Sequence, residues 1–144
     1  MSFFELSTPM HMLDKTRREH HRLQDEVNID NVFNFMVTAN HIRDYVKKSG
    51  AVPEPILNAF FQEQDMLDCQ DLCNKGKHMT LERNRPDPST RIMSSQIGAG
   101  YIGEMVVGSG DTWLLVSGDR KVDIVELADR VLHKLESFFS KHSI

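Results

Sequence analysis

Asp71-Leu72-Cys73-Asn74-Lys75-Gly76-Lys77-His78 is the stretch on which the chain turns. Before it, apolar residues return at helical steps of three and four. After it, the spacing shortens to two over one region and then becomes helical again to the end. The stretch sits at the mouth of a helix-to-strand transition, and its second half sets a carboxamide, two ammonium groups and an imidazole in little more than one turn.

Working back from it, Met66, Leu67, Cys69, Leu72 and Cys73 form one stripe, while Ile56, Leu57, Phe60 and Phe61 form another in a slightly different phase. The pair predicts helices over about 54–63 and 65–77, with Asp65 capping the second. Further upstream, Val32, Phe35, Met36, Ala39, Ile42 and Val46 mark a central helix opened by Asp30, with Phe33 and Val37 widening its apolar face. Ser49-Gly50 ends that helix, and Pro53-Glu54-Pro55 forbids its continuation. Ser7-Thr8-Pro9 opens a first helix through about Glu26, whose thin stripe of Met10, Leu13, Leu23 and Val27 suits an outer position.

Downstream, Asn84-Arg85-Pro86-Asp87-Pro88-Ser89 is loop chemistry. From Ile92 the period is two, with Ile97, Tyr101, Met105, Val106 and Val107 among glycines, and Gly108-Ser109-Gly110-Asp111 forms a turn. Thr112–Val116 is a strand, Gly118-Asp119-Arg120 turns again, and Lys121-Val122 offers a short third strand. Asp123 then caps the last helix, with Glu126 completing a capping box and Ile124, Leu127, Ala128, Val131, Leu132, Leu135, Phe138 and Phe139 along its buried face. The fold class expected is mainly α (α+β): a single domain over residues 1–144, built as a four- to five-helix bundle with a β-hairpin at about 92–122 inserted before the last helix. A hairpin alone is marginal in water, so it must lean on the bundle or on a second chain.

The composition is that of an ordinary globular protein, with 40% apolar and 26% charged residues in 144. No run approaches the roughly 20 apolar residues of a membrane span, and the N-terminus lacks the basic flank of a secretory signal. The expectation is a cytoplasmic protein with no membrane association. A formal net charge of −4 argues against general coating of nucleic acid, yet Lys75, Lys77, Arg83, Arg85 and Arg91 face only Glu82 and Asp87 in their segment. Such a local basic stretch serves as a phosphate or partner site, or simply as a solvated loop. Cys69 and Cys73 read as small buried apolar groups, because no second ligand pair with zinc spacing exists and four-apart cysteines on a helix bridge poorly.

Chemistry concentrates in two places. If the helix persists through Gly76, Asn74 and His78 share a face flanked by Lys75 and Lys77, a set suited to proton transfer beside a phosphate. If Gly76 ends the helix, the lysines only complement its C-terminal dipole. His41, Arg43 and Asp44 form the second cluster, in which Asp44 could orient His41 or pair with Arg43, unless the run is a solvated helix tip. There is no Gly-x-Ser-x-Gly, phosphate-binding glycine loop or dinucleotide fingerprint. His20 and His21 lack partners at metal spacing, so neither a metal nor any other cofactor is expected.

Asn40-His41-Ile42-Arg43-Asp44-Tyr45 followed by Cys69-Gln70-Asp71-Leu72-Cys73-Asn74-Lys75-Gly76-Lys77-His78 resembles a group of uncharacterised bacterial and phage proteins, similar in turn to the HEPN superfamily of helical domains. The resemblance implies a metal-independent ribonuclease or a silent relative, usually a homodimer, in phage defence or a toxin–antitoxin system with a cognate protein partner. His78 then corresponds to the motif histidine and Asn74 to the polar residue beside the motif arginine, whose own position falls on Cys73. Two functions follow as expectations. One is an interaction or anion/nucleotide-binding module. The other is an endoribonuclease in which His78 and Asn74 are catalytic, Lys75, Lys77 and Arg43 bind phosphate, and His41 and Asp44 support them, with RNA or a nucleotide as ligand.

Overall fold

The computed structural model describes residues 4–78, 87–94 and 111–144. Five helices, α1 (Pro9–Asp25), α2 (Ile29–Ser49), α3 (Glu54–Phe61), α4 (Gln64–His78) and α5 (Ile124–His142), carry most of the described chain. Three strands, β1 (Ser89–Met93), β2 (Thr112–Ser117) and β3 (Arg120–Asp123), form an antiparallel sheet in the order β1-β2-β3 before α5. The expected helical bundle with an inserted hairpin is the fold observed. The strand expected around Ile97–Val107, the turn after it and the arginines Arg83 and Arg85 lie outside the described residues.

Each helix begins where local chemistry allows. Thr8 caps α1 by accepting from the His11 amide, and Pro9 follows in the first turn, where a missing N–H costs nothing. The cap of α2 is Asn28, two residues earlier than the Asp30 expected: its extended backbone lets the side chain accept from the Asn31 amide at 2.8 Å. Asp30 falls instead in the first turn, where its charge meets the positive end of the helix dipole. Asn31 also donates to the Glu26 carbonyl at 2.8 Å, tying the end of α1 to the start of α2. Asp123 caps α5 as the sequence predicts, accepting from the Glu126 amide. α4 begins at Gln64, so Asp65 stands in its first turn, where it meets Arg130 and Lys134 of α5.

α2 is the central helix. Phe35, Met36, Ala39, Ile42 and Val46 are fully buried, and they meet Leu13 and Leu23 of α1, Cys69 and Cys73 of α4, and Leu127, Val131 and Leu135 of α5 in one apolar cluster. Each such leucine removed from water contributes about 1.5–3 kcal/mol. Met10, expected on the thin stripe of α1, is exposed, and Met12 takes the buried position.

The sheet rests on this core through Leu115 of β2 and its register partner Val122 of β3, while Leu114, also buried, points to the opposite face. β2 pairs with residues 89–93, in the register Ser89↔Val116 to Met93↔Thr112, so the sheet starts three residues before Ile92. Arg120 pins the β2–β3 turn to α4, its guanidinium gripping both oxygens of Asp68.

Candidate site at the end of α4

Helix α4 runs unbroken through Gly76 to His78, so Asn74 and His78 share one face. A glycine within a helix costs up to about 1 kcal/mol relative to alanine. Its presence here has a steric cause. A Cβ on Gly76 would sit 2.5 and 2.6 Å from two ring carbons of Phe33, which lies across the helix from α2. Gly76 stands in the last turn of α4, where the Phe33 ring from α2 closes on the helix backbone.

Around this crossing the predicted residues divide. Lys77 and His78 are exposed, and Asn74 is half-buried. His41 of α2 is half-buried within electrostatic reach of Lys77. Burial and then the Lys77 ammonium push the imidazole below its ordinary value, and exposed Asp44 only partly opposes them. Both effects disfavour the protonated ring, which stands near a fixed positive charge.

Two of the cations do other work. Lys75 reaches Asp87 at 2.5 Å, tying the approach to β1 back onto α4, so its charge is answered within the protein. Arg43 faces α3, donating from Nη2 to Asn58 Oδ1 at 2.7 Å with its guanidinium carbon 5.7 Å from the centre of the Phe61 ring. It stands two positions beyond His41, roughly 200° around the helix at about 100° per residue. The structure thus brings Lys77 and Asp44 within electrostatic reach of His41, keeps Asn74 and His78 on one face of α4, and turns Arg43 toward α3.

Cys73 is 0% exposed, inside the α2–α4 contact, where its sulfur accepts from Asn40 Nδ2 at 3.6 Å. Its neighbour Cys69 is equally buried, and the same burial raises its thiol pKa far above the ordinary value. No guanidinium could occupy the Cys73 position without opening that contact. Among the described residues no group of three or more His, Cys, Asp or Glu is arranged to hold a metal ion, and no helix is long and apolar enough to cross a membrane.

Beside this polar crossing lies a feature that the sequence pattern hid. Phe33, whose helical spacing assigned it to the core, is 36% exposed. It walls an open apolar groove between α2, α4 and the sheet that also involves Ile29, Leu72, Gly76 and Trp113. The only advance signal was a glycine inside a helical stripe, which marks a close approach of some neighbour.

No family model, curated protein or solved structure matches this chain.

Proposed function

We propose that this protein is a HEPN-like helical module that binds the phosphate of RNA or a nucleotide at the α2–α4 crossing, without cleaving it. The observation that carries this reading is half-buried His41 within electrostatic reach of the exposed Lys77 ammonium, which His78 follows on α4. Lys77 supplies the charge, His78 and His41 supply imidazole donors, and Asn74 adds an amide within one turn. The negative end of α4 amounts to about half a charge and does not cancel a whole ammonium.

Cleavage would also need a group to stabilise charge developing on the phosphate. In the motif that this chain resembles, arginine does so. Here the corresponding Cys73 is buried, and Arg43 is engaged with Asn58 and Phe61. Binding survives these losses more readily than catalysis does. The endoribonuclease reading retains one favourable observation: α4 does not break at Gly76, so Asn74 and His78 keep the shared face that the motif requires.

A labelled single-stranded RNA, titrated with the protein and followed by fluorescence anisotropy, tests the reading. Binding should weaken with salt, and Lys77→Ala should flatten the log–log salt slope by about 0.7. Salt-independent binding, or none, sinks it. Incubating the same RNA with the protein in EDTA separates the two readings: His78-dependent cleavage would establish the ribonuclease. Sedimentation of the free and RNA-bound protein tests the homodimer that the resemblance implies.

A further inference from the structure

The groove beside the polar crossing has a size, a wall chemistry and a position that together select a class of ligand. It measures about 380 Å³, within the range of small-molecule sites. Two aromatic residues from different elements border it: Phe33 from α2 and Trp113 from β2. Leu72 and Gly76 of α4 contribute to its lining, and the absent side chain of Gly76 is what lets Phe33 lie so close. Ile29, 71% exposed, and Thr90 extend its edge, and among the described residues Lys75 is its one charged residue.

Position makes the difference. Gly76 lines the groove, and exposed Lys77 follows it by about 1.5 Å and 100° around the same helix, so its long side chain stands at the groove's rim, whereas His78 is about 200° around and turns away. Aromatic faces beside a positively charged track are how proteins hold unpaired bases, with stacking on the ring and the phosphate on the cations. A groove for an apolar peptide gains nothing from that neighbour.

We infer that the Phe33–Trp113 groove seats an unpaired nucleobase whose phosphate is held at Lys77. This inference rests on the phosphate-binding reading above and adds to it the part of the ligand that carries selectivity. The base can come from a free nucleotide or from a single strand, and both present the same ring and phosphate.

Trp113 is the single tryptophan of the chain, so its emission reports on the groove directly. Titration with an adenine-rich single-stranded RNA should quench it. An abasic ribose-phosphate strand of equal length should leave it unquenched and should bind about tenfold more weakly, the loss expected for one stacked base. Phe33→Leu, which keeps the groove apolar, should erase the preference for the base-bearing strand. Lys77→Ala should weaken both strands alike.

Equal affinity for the two strands, with no difference in quenching, overturns the base seat and leaves the phosphate site standing. Failure of both strands to bind removes the phosphate reading, and the base seat with it. Adenosine monophosphate and an adenine-rich DNA strand identify the source of the base. Quenching by the monophosphate as strong as by the strand supports the seat and makes a free nucleotide its occupant. Trp113 emission that changes with protein concentration and ignores every nucleic acid assigns the groove to another protein surface and overturns the proposal.

Discussion

Arg120 and Asp68 meet in a two-point ion pair, Nη2 to Oδ1 at 2.8 Å and Nη1 to Oδ2 at 3.2 Å. Asp68 is 1% exposed, whereas Arg120 keeps contact with solvent. The carboxylate is further bonded by Gln64 Nε2 at 3.0 Å. Hydrogen bonding to Asp68 raises the Arg120 pKa, and the charges of Asp68, Asp71 and Asp65 add to it against a burial penalty. The pair is a two-point directional link between the β2–β3 turn and α4.

Removing the arginine alone strands a buried charge, which costs more than removing both partners. Arg120→Ala should destabilise the protein by about 2 kcal/mol, the order of a charged hydrogen bond lost from a buried partner. Adding Asp68→Leu to that variant should recover part of the loss. Urea midpoints of the two variants and the wild type check it. A double variant less stable than Arg120→Ala would show that Asp68 holds α4 through other contacts.

His41 makes stability depend on pH in a definite direction. Its folded pKa lies below the ordinary histidine value, first through burial and then through Lys77, with Asp44 working against them. The unfolded chain therefore takes up a proton more readily than the native one. The His41 contribution is fully present above the unfolded pKa of about 6.5 and is lost as pH falls below it toward the folded value. Following the His41 ring resonance by NMR should give a midpoint below that of an exposed histidine. Lys77→Met should move it up, and Asp44→Asn should move it further down. An unmoved midpoint in Lys77→Met would separate the two side chains and withdraw the site.

Much of this was legible in the residues, and the limits have physical causes. The stripes of α2 and α5 announced themselves because each buries one continuous face, and Asp123 with Glu126 left no doubt about where α5 begins. The cap of α2 was misplaced by two residues, since Asn28 and Asp30 are both good caps and only the backbone turn at Asn28 distinguishes them. Spacing placed His41 and Arg43 in one cluster, but helical rotation sends them to different neighbours. The Phe33–Gly76 crossing depends on the angle between two helices, and no local pattern encodes that angle. The resemblance to HEPN domains directs attention to the end of α4, and it is the basis of a proposal.

Gly76 and Phe33 offer a test of that crossing. Alanine at Gly76 gains about 1 kcal/mol of helix propensity. In the wild-type background its Cβ meets the Phe33 ring at 2.5 Å, so the exposed ring must swing away and the gain is spent. Gly76→Ala alone should leave stability near that of the wild type while changing Trp113 emission, because the groove wall has moved. Introduced into Phe33→Ala, the same change should stabilise by about 1 kcal/mol. Thermal melts of the four proteins complete the cycle. Equal effects in both backgrounds would mean that the ring does not cover the glycine.

Cys73 carries the last prediction, because it occupies the position of the arginine in the motif that the chain resembles. Restoring that arginine looks like a route to a nuclease, but the packing argues the reverse. The Cys73 side chain is sealed between α2 and α4, with Asn40 as its polar neighbour. Its replacement by arginine would bring a guanidinium into a contact that has no room for it and no described carboxylate bonded to it. Cys73→Ala should cost about 1 kcal/mol, as the loss of a small buried group does. Cys73→Arg should cost more than about 3 kcal/mol, through overpacking and an unpaired buried charge. Denaturant unfolding of the two variants measures the difference, and RNA incubated with Cys73→Arg in EDTA should stay intact. A stable Cys73→Arg protein that cleaves RNA would mean that the crossing opens in solution and that the site is a nuclease lacking one group.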